Sequence, residues 1–212
     1  MNLDAIYDLY KTKELYDQTF YIWSIKEPEA KVLYDNVLDA NKILVIGAYK
    51  GVSTLVILQA IDGRPFDCIY NLDIFLKDFK DTKDEDYYSV FKEMVLDRSW
   101  SGRVEVIRGF ASATTLKHYA EYYQPELWWS INKAPDGLDL VFIDGDHAFP
   151  ICFYDFLMVW PKMNKGGRVL LHDVGGSWAH ELSSTVEYIK QLPDAQMTIH
   201  NGIDGIAVVT KV

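Results

Sequence analysis

Three strand-length runs, KILVIG, LDLVFID and GRVLL, are apolar almost throughout, and they run into Gly47, Asp144 and the pair His172-Asp173. A strand with one face in water alternates apolar and polar residues. An unbroken run is buried on both faces, which calls for a largely parallel sheet with helices packed on either side. The rest of the chain fits that requirement. VSTLVILQA reads as a helix after the first run, while DCIYNLDIF, RVEVIRG and AQMTIH read as further strands. DYYSVFKEMVLDRSW, SATTLKHYAEYY, FYDFLMVW and ELSSTVEYIKQL read as the intervening helices. Ahead of them, Ile6, Leu9, Tyr10, Val32, Leu33, Val37 and Leu38 lie at helical spacing, with Pro28 suited to a helix start.

Strands alternating with helices predict a Rossmann-like, doubly wound α/β sheet, whose ligands bind beyond the carboxyl ends of the strands where the strand order switches. The last two strands, AQMTIH and GIAVVTKV, are joined only by the turn NGIDG and must pair antiparallel. No linker-like stretch divides the 212 residues, so one domain is expected over 1–212, with 1–40 as a helical N-terminal extension.

The net charge of −10, with lysines and arginines dispersed among acids, repels phosphate backbones and anionic lipid surfaces. Nucleic acid and membrane are thereby set aside as partners in favour of a small molecule. Cys68 and Cys152 sit inside apolar runs and read as buried thiols rather than a disulfide, which suits a reducing compartment. With no basic-then-apolar leader and no membrane-length apolar stretch, a cytoplasmic location is expected. Tyr16, Phe20, Tyr21 and Trp23 in the extension offer a contact surface for a homo-oligomer.

Candidate functional residues follow each strand. Gly47 lets the chain turn tightly and a ligand approach closely, and Gly51 and Ser53 open a helix whose free N–H groups face that ligand. The spacing is G-x-x-x-G and not the G-x-G-x-x-G of dinucleotide binders. Asp73, at the tip of the second strand, can accept hydrogen bonds from both hydroxyls of a ribose, or be a solvated strand end. Phe110, Ala111 and Ser112 follow the third strand, where they can flank an adenine ring or fill the core. Asp144-Gly145-Asp146-His147 is the densest polar cluster of the chain, costly at a sheet edge unless it binds something. If the fourth and fifth strands are neighbours, His172 and Asp173 converge on it. Oxygen ligands with one imidazole suit Mg²⁺ or Mn²⁺, whereas capping of the next helix is the competing use of Asp173.

Together ILVIGAYKGVST, LDIF, DLVFIDGDHAF and NKGGRVLLHDV resemble the class I S-adenosylmethionine-dependent methyltransferases, and within them the branch of macrolide-sugar O-methyltransferases and cephalosporin-hydroxylase-like proteins. The resemblance covers about residues 30 to 212 and implies strand order 3-2-1-4-5-7-6 with the seventh strand antiparallel. It implies that Gly47 through Ser53, Tyr49 and Gly51 included, hold the methionine moiety, Asp73 the ribose, and Phe110 to Ser112 the adenine surroundings. Asp144 is expected to contribute to the cofactor pocket as well. Asp144 and Asp173 match the Mg²⁺-binding positions of metal-dependent members, and His147 matches a general base. Relatives often carry a second acid or an asparagine beside the fifth-strand aspartate; here its neighbours are His172 and Val174, so His172 is either a ligand or a sign of a missing metal. The expected activity is methyl transfer from S-adenosylmethionine to a sugar or phenol-like hydroxyl, with metal assistance where Mg²⁺ binds. The competing readings are a cofactor-binding regulator or assembly partner without transfer activity, and a nicotinamide-dependent oxidoreductase, which the missing fingerprint argues against.

Overall fold

The computed structural model describes residues 2–12, 24–61, 63–73, 87–109 and 130–212. Their strands are β1 (Lys42–Ile46), β2 (Cys68–Asp73), β3 (Arg103–Arg108), β4 (Leu138–Ile143), β5 (Met163–His172), β6 (Ala195–His200) and β7 (Ile206–Lys211). They form one seven-stranded sheet in the order β3-β2-β1-β4-β5-β7-β6. β7 runs antiparallel to both of its neighbours and the remaining pairs are parallel, as the closing hairpin required.

The unbroken apolar runs resolve into two interleaved alternations. Ile43, Val45, Leu140 and Phe142 face one side of the sheet, and Leu44, Ile46, Val141 and Ile143 the other. The first side is covered by helices α1 (Leu3–Thr12), α2 (Glu27–Val37), α3 (Val52–Ile61) and α4 (Tyr87–Phe91). The second is covered by α5 (Ile151–Val159) and α6 (Ala179–Ile189), which bring in Cys152, Phe156, Leu182 and Ile189. α3 is apolar nearly all round because it lies between the sheet and the outer helices; eight of its ten residues are buried. Both cysteines are buried and free. Among the described residues no helix is long and apolar enough to cross a membrane.

Several boundaries differ from the sequence reading. The helix expected over DYYSVFKEMVLDRSW is one α-turn, Tyr87–Phe91, continued by a π-helical turn, Lys92–Leu96. β5 begins four residues earlier than expected, because Met163 pairs with Leu138 ahead of a bulge and the strand passes straight through Gly166 and Gly167. Leu38, assigned to the apolar stripe, lies just beyond α2 and is 48% exposed. The helix expected over SATTLKHYAEYY and the aromatics Tyr16, Phe20, Tyr21 and Trp23 lie outside the described residues.

Candidate active site

The sheet order reverses between β1 and β4, and the carboxyl ends of these strands approach each other closely. Gly47 has φ +83°, and a side chain there would come within 2.1 Å of the Asp144 carbonyl oxygen, so the β1 turn and the β4 end interlock through a missing Cβ. Past Gly47 the chain makes an uncommon move: Tyr49 takes φ +46° and its N–H donates to Asp73 Oδ2 at 2.8 Å. The strand-end aspartate is therefore not merely solvated. It fixes the left-handed turn from the neighbouring strand. Gly51 serves packing, since a Cβ there would meet Val95 at 2.7 Å and Phe91 at 3.1 Å. Ser53 is buried in the first turn of α3.

This turn walls a shallow cleft lined by Ser24, Ile25, Gly47, Tyr49, Ser53 and Asp144, among others. Sequence reasoning did not find Ser24 and Ile25; they precede α2, and only the folding of the chain back across the sheet brings them here. Lys50, within the Gly47–Ser53 stretch, is wholly buried against the rings of Tyr49 and Tyr87, at 5.6 and 5.2 Å from their centroids. Phe110, Ala111 and Ser112 lie outside the described residues.

Beyond β4 and β5 the predicted polar residues converge. His172 Nδ1 lies 2.8 Å from Asp144 Oδ1 and 3.0 Å from Asp173 Oδ2; a carboxylate only accepts, so this nitrogen carries the proton. Asp173, at φ +61°, also brings Oδ2 within 2.5 Å of His147 Nε2, in an ion-pair contact off the line of an ideal hydrogen bond. His147 Nε2 is 3.9 Å from Asp144 Oδ1. Tyr49 and Asp173 are the two non-glycine residues with positive φ among the described residues, and both belong to this region. The imidazole of His147 stacks on Trp178, with centroids 5.2 Å apart and planes 28° from parallel.

Burial opposes charge on both imidazoles, but the carboxylates of Asp144 and Asp173 outweigh it: His147 is pushed up to about 9 and His172 well above its ordinary value. Burial raises Asp173, and the same two imidazoles more than reverse that, holding it well below the usual carboxylate range. Two acids reach the centre from outside the predicted motifs. Asp204, in the β6–β7 turn, is raised by burial and by the Asp173 charge. Glu29, on α2, accepts from the N–H groups of Asp204 and Gly205 at 2.9 and 3.0 Å. Burial lowers the pKa of Lys26, whose ammonium donates to the Ser24 carbonyl, and the charges of Asp204, Asp173, Asp144 and Glu29 counter that.

Donor atoms of Asp144, His147 and Asp173 lie within 4.8 Å of one another, as do those of His172, Asp173 and Asp204. Mg²⁺ favours oxygen ligands in octahedral array, however. Here the two carboxylate oxygens are already engaged by imidazole nitrogens at 2.5 to 3.0 Å, which makes the set a poor match to Mg²⁺.

A family described as a methyltransferase domain matches residues 44–174, which hold most of β1 and all of β2, β3, β4 and β5. An uncharacterised protein of Acanthamoeba polyphaga mimivirus is 31% identical over 61 residues, a stretch spanning 28% of each chain. A methyltransferase of Podospora anserina, solved bound to S-adenosylhomocysteine, aligns over 99% of this chain and 87% of its own at 14% identity, with a TM-score of 0.70. An O-methyltransferase of Bacillus cereus, also in complex with S-adenosylhomocysteine, aligns over 100% and 90% at 16% identity and a TM-score of 0.63. At such identities these two structures speak for the fold.

Proposed function

The chain belongs to the methyltransferase-domain family, and on that premise we propose that it is an S-adenosylmethionine-dependent O-methyltransferase acting on a hydroxyl of a small molecule, with His147 as the proton acceptor. The observation that carries this reading is the His147–Asp173 pair at the carboxyl edge of the sheet, next to a cleft that runs from the β1 turn to Asp144. The two solved neighbours bound to S-adenosylhomocysteine support the choice of cofactor.

The residues lining the cleft support that choice. The Gly47–Tyr49 turn and the first turn of α3 would hold the methionine end, and Asp73, locked at the edge by the Tyr49 N–H, would take the ribose. When bound, S-adenosylmethionine supplies an electrophilic methyl on a sulfonium leaving group. The protein must supply a nucleophile and orient it. A neutral hydroxyl is a weak nucleophile, so its proton has to go to a base as the new C–O bond forms. His147 Nε2 is turned to Asp173, which leaves Nδ1 to receive that proton, and Asp173 stabilises the imidazolium that results. With its pKa near 9, His147 is closer to a phenol-like hydroxyl, about 10, than to an alkyl one, and matched values favour transfer. A phenol-like acceptor is thus the better fit than a sugar.

The test is methyl transfer from radiolabelled S-adenosylmethionine to a panel of phenols and glycosides, by the wild type and by His147→Gln. The variant should lose turnover while holding S-adenosylhomocysteine within a few fold of wild type. A variant that turns over normally would remove His147 from the chemistry, and an absence of product from the whole panel would favour a cofactor-binding protein without transfer activity.

A further inference from the structure

The imidazole of His147 is held at its edge by Asp173, whose Oδ2 lies 2.5 Å from Nε2. A contact at one ring atom leaves the plane of the ring free to turn, because the torsion between Cβ and an aromatic ring has a broad minimum. A second residue sets that plane. Trp178 lies against the face of the imidazole, with centroids 5.2 Å apart and planes 28° from parallel. It ends a short 3₁₀ turn, Gly176–Trp178, that follows β5, and this turn is anchored to the β6–β7 turn. The Gly175 N–H donates to the Asp204 carbonyl at 2.7 Å. At Gly176, where φ is +59°, a Cβ would come within 2.8 Å of the Ile203 carbonyl oxygen, so the two turns touch backbone to backbone. Glu29, buried on α2, secures the β6–β7 turn in its place by accepting from the N–H groups of Asp204 and Gly205 at 2.9 and 3.0 Å.

We propose that Trp178 is a positioning residue for His147: docked on the β6–β7 turn, its indole fixes the plane of the imidazole, so that the ring edge away from Asp173 is presented to the acceptor hydroxyl. The inference rests on the reading of His147 as the proton acceptor. A catalytic base has to be held to within about 0.5 Å and roughly 10–20° of its productive geometry, which one carboxylate contact does not achieve. A flat neighbour on the ring face removes the remaining freedom. Trp178 thereby acts through His147, and Gly176 and Glu29 act through Trp178.

The test compares wild type, Trp178→Leu, Trp178→Phe and Gly176→Ala in methyl-transfer kinetics, with tryptophan fluorescence as a readout that needs no turnover. Trp178→Leu should lower kcat by roughly ten- to a hundredfold, while KM for S-adenosylmethionine and affinity for S-adenosylhomocysteine stay within about twofold. Trp178→Phe keeps a flat ring against the imidazole and should recover most of kcat. Gly176→Ala should repeat the loss seen with leucine, because the displaced turn carries the indole away. An imidazole in contact with an indole quenches its emission, so His147→Gln should brighten the wild type and leave the Trp178→Phe background unchanged. Wild-type kcat in Trp178→Leu or in a folded Gly176→Ala overturns the proposal, as does an equal loss in Trp178→Phe. So does brightening that is absent from the wild type or persists without Trp178. A raised acceptor KM at constant kcat also overturns it, making Trp178 part of acceptor binding instead. Should Gly176→Ala not fold, the two Trp178 variants still decide. Absence of product from wild type would sink the methyl-transfer reading, and the fluorescence pair would still decide whether the indole holds the imidazole.

Discussion

Replacing His147 with glutamine should change how stability depends on pH, and by an amount the structure sets. His147 titrates near 9 in the fold against 6.5 for a free imidazole. At about 1.4 kcal/mol per tenfold, that difference is worth on the order of 3 kcal/mol. Because the folded value is raised, the contribution is complete below about 6.5 and disappears as pH climbs through about 9. Glutamine keeps much of the shape and a hydrogen-bonding head but no titratable charge. Urea unfolding followed by circular dichroism at several pH values between 6 and 10 gives both stability curves. Wild type should exceed the variant by about 3 kcal/mol more at pH 6 than at pH 10. A gap that stays constant over that range, or widens with pH, would refute the assignment of a stabilised imidazolium between Asp144 and Asp173.

Other outcomes follow from the same geometry. Methyl-transfer kcat/KM should rise with pH up to about 9, since only neutral His147 accepts a proton; a rate that falls over that range would exclude it as the base. Asp73→Ala should weaken S-adenosylhomocysteine binding by ~1–3 kcal/mol in calorimetry. Asp73→Asn should lose less, because its side-chain carbonyl can still accept from the Tyr49 N–H, and equal losses would mean the turn does not depend on that bond. Gly47→Ala places a Cβ 2.1 Å from the Asp144 carbonyl oxygen at φ +83°, so thermal unfolding should show a loss of at least ~2 kcal/mol, and an unchanged melting temperature would contradict the interlocked β1 and β4 ends.

The sheet was legible because burial on both faces leaves its mark on every residue of a strand. KILVI, LDLVFI and the second half of β5 have no polar face to obscure them. The convergence of Asp144, His147, His172 and Asp173 followed from strand adjacency, since β4 and β5 pair in parallel with Ile143 opposite Leu171. Pairwise chemistry was less legible. The motif offered His147 a hydroxyl to deprotonate, yet its nearest partner is Asp173, a contact created by the left-handed turn at that aspartate. Gly51 looked like a ligand-facing residue and proves to be required by Phe91 and Val95, which lie some forty residues away in sequence. Lys26, Glu29 and Asp204 carried no signal at all. Their meeting depends on α2 crossing to the β6–β7 turn, a separation of 175 residues between Glu29 and Asp204 that no local pattern encodes.

That crossing also explains why the site needs both ends of the sheet's switch point. Gly47 belongs to the half that would hold the cofactor and Asp144 to the half that would hold the acceptor, and the two are in backbone contact. A methyl group moves over a short, in-line path, so an error of about 1 Å between donor and acceptor costs on the order of a hundredfold in rate. Interlocking the two strand ends through a missing Cβ fixes that relation without a side chain that could change rotamer. The segment before α2 then reaches the junction, with Ser24 and Ile25 in the cleft and Lys26 bonded to the Ser24 carbonyl. Alignment of the two halves is thus a property of the backbone.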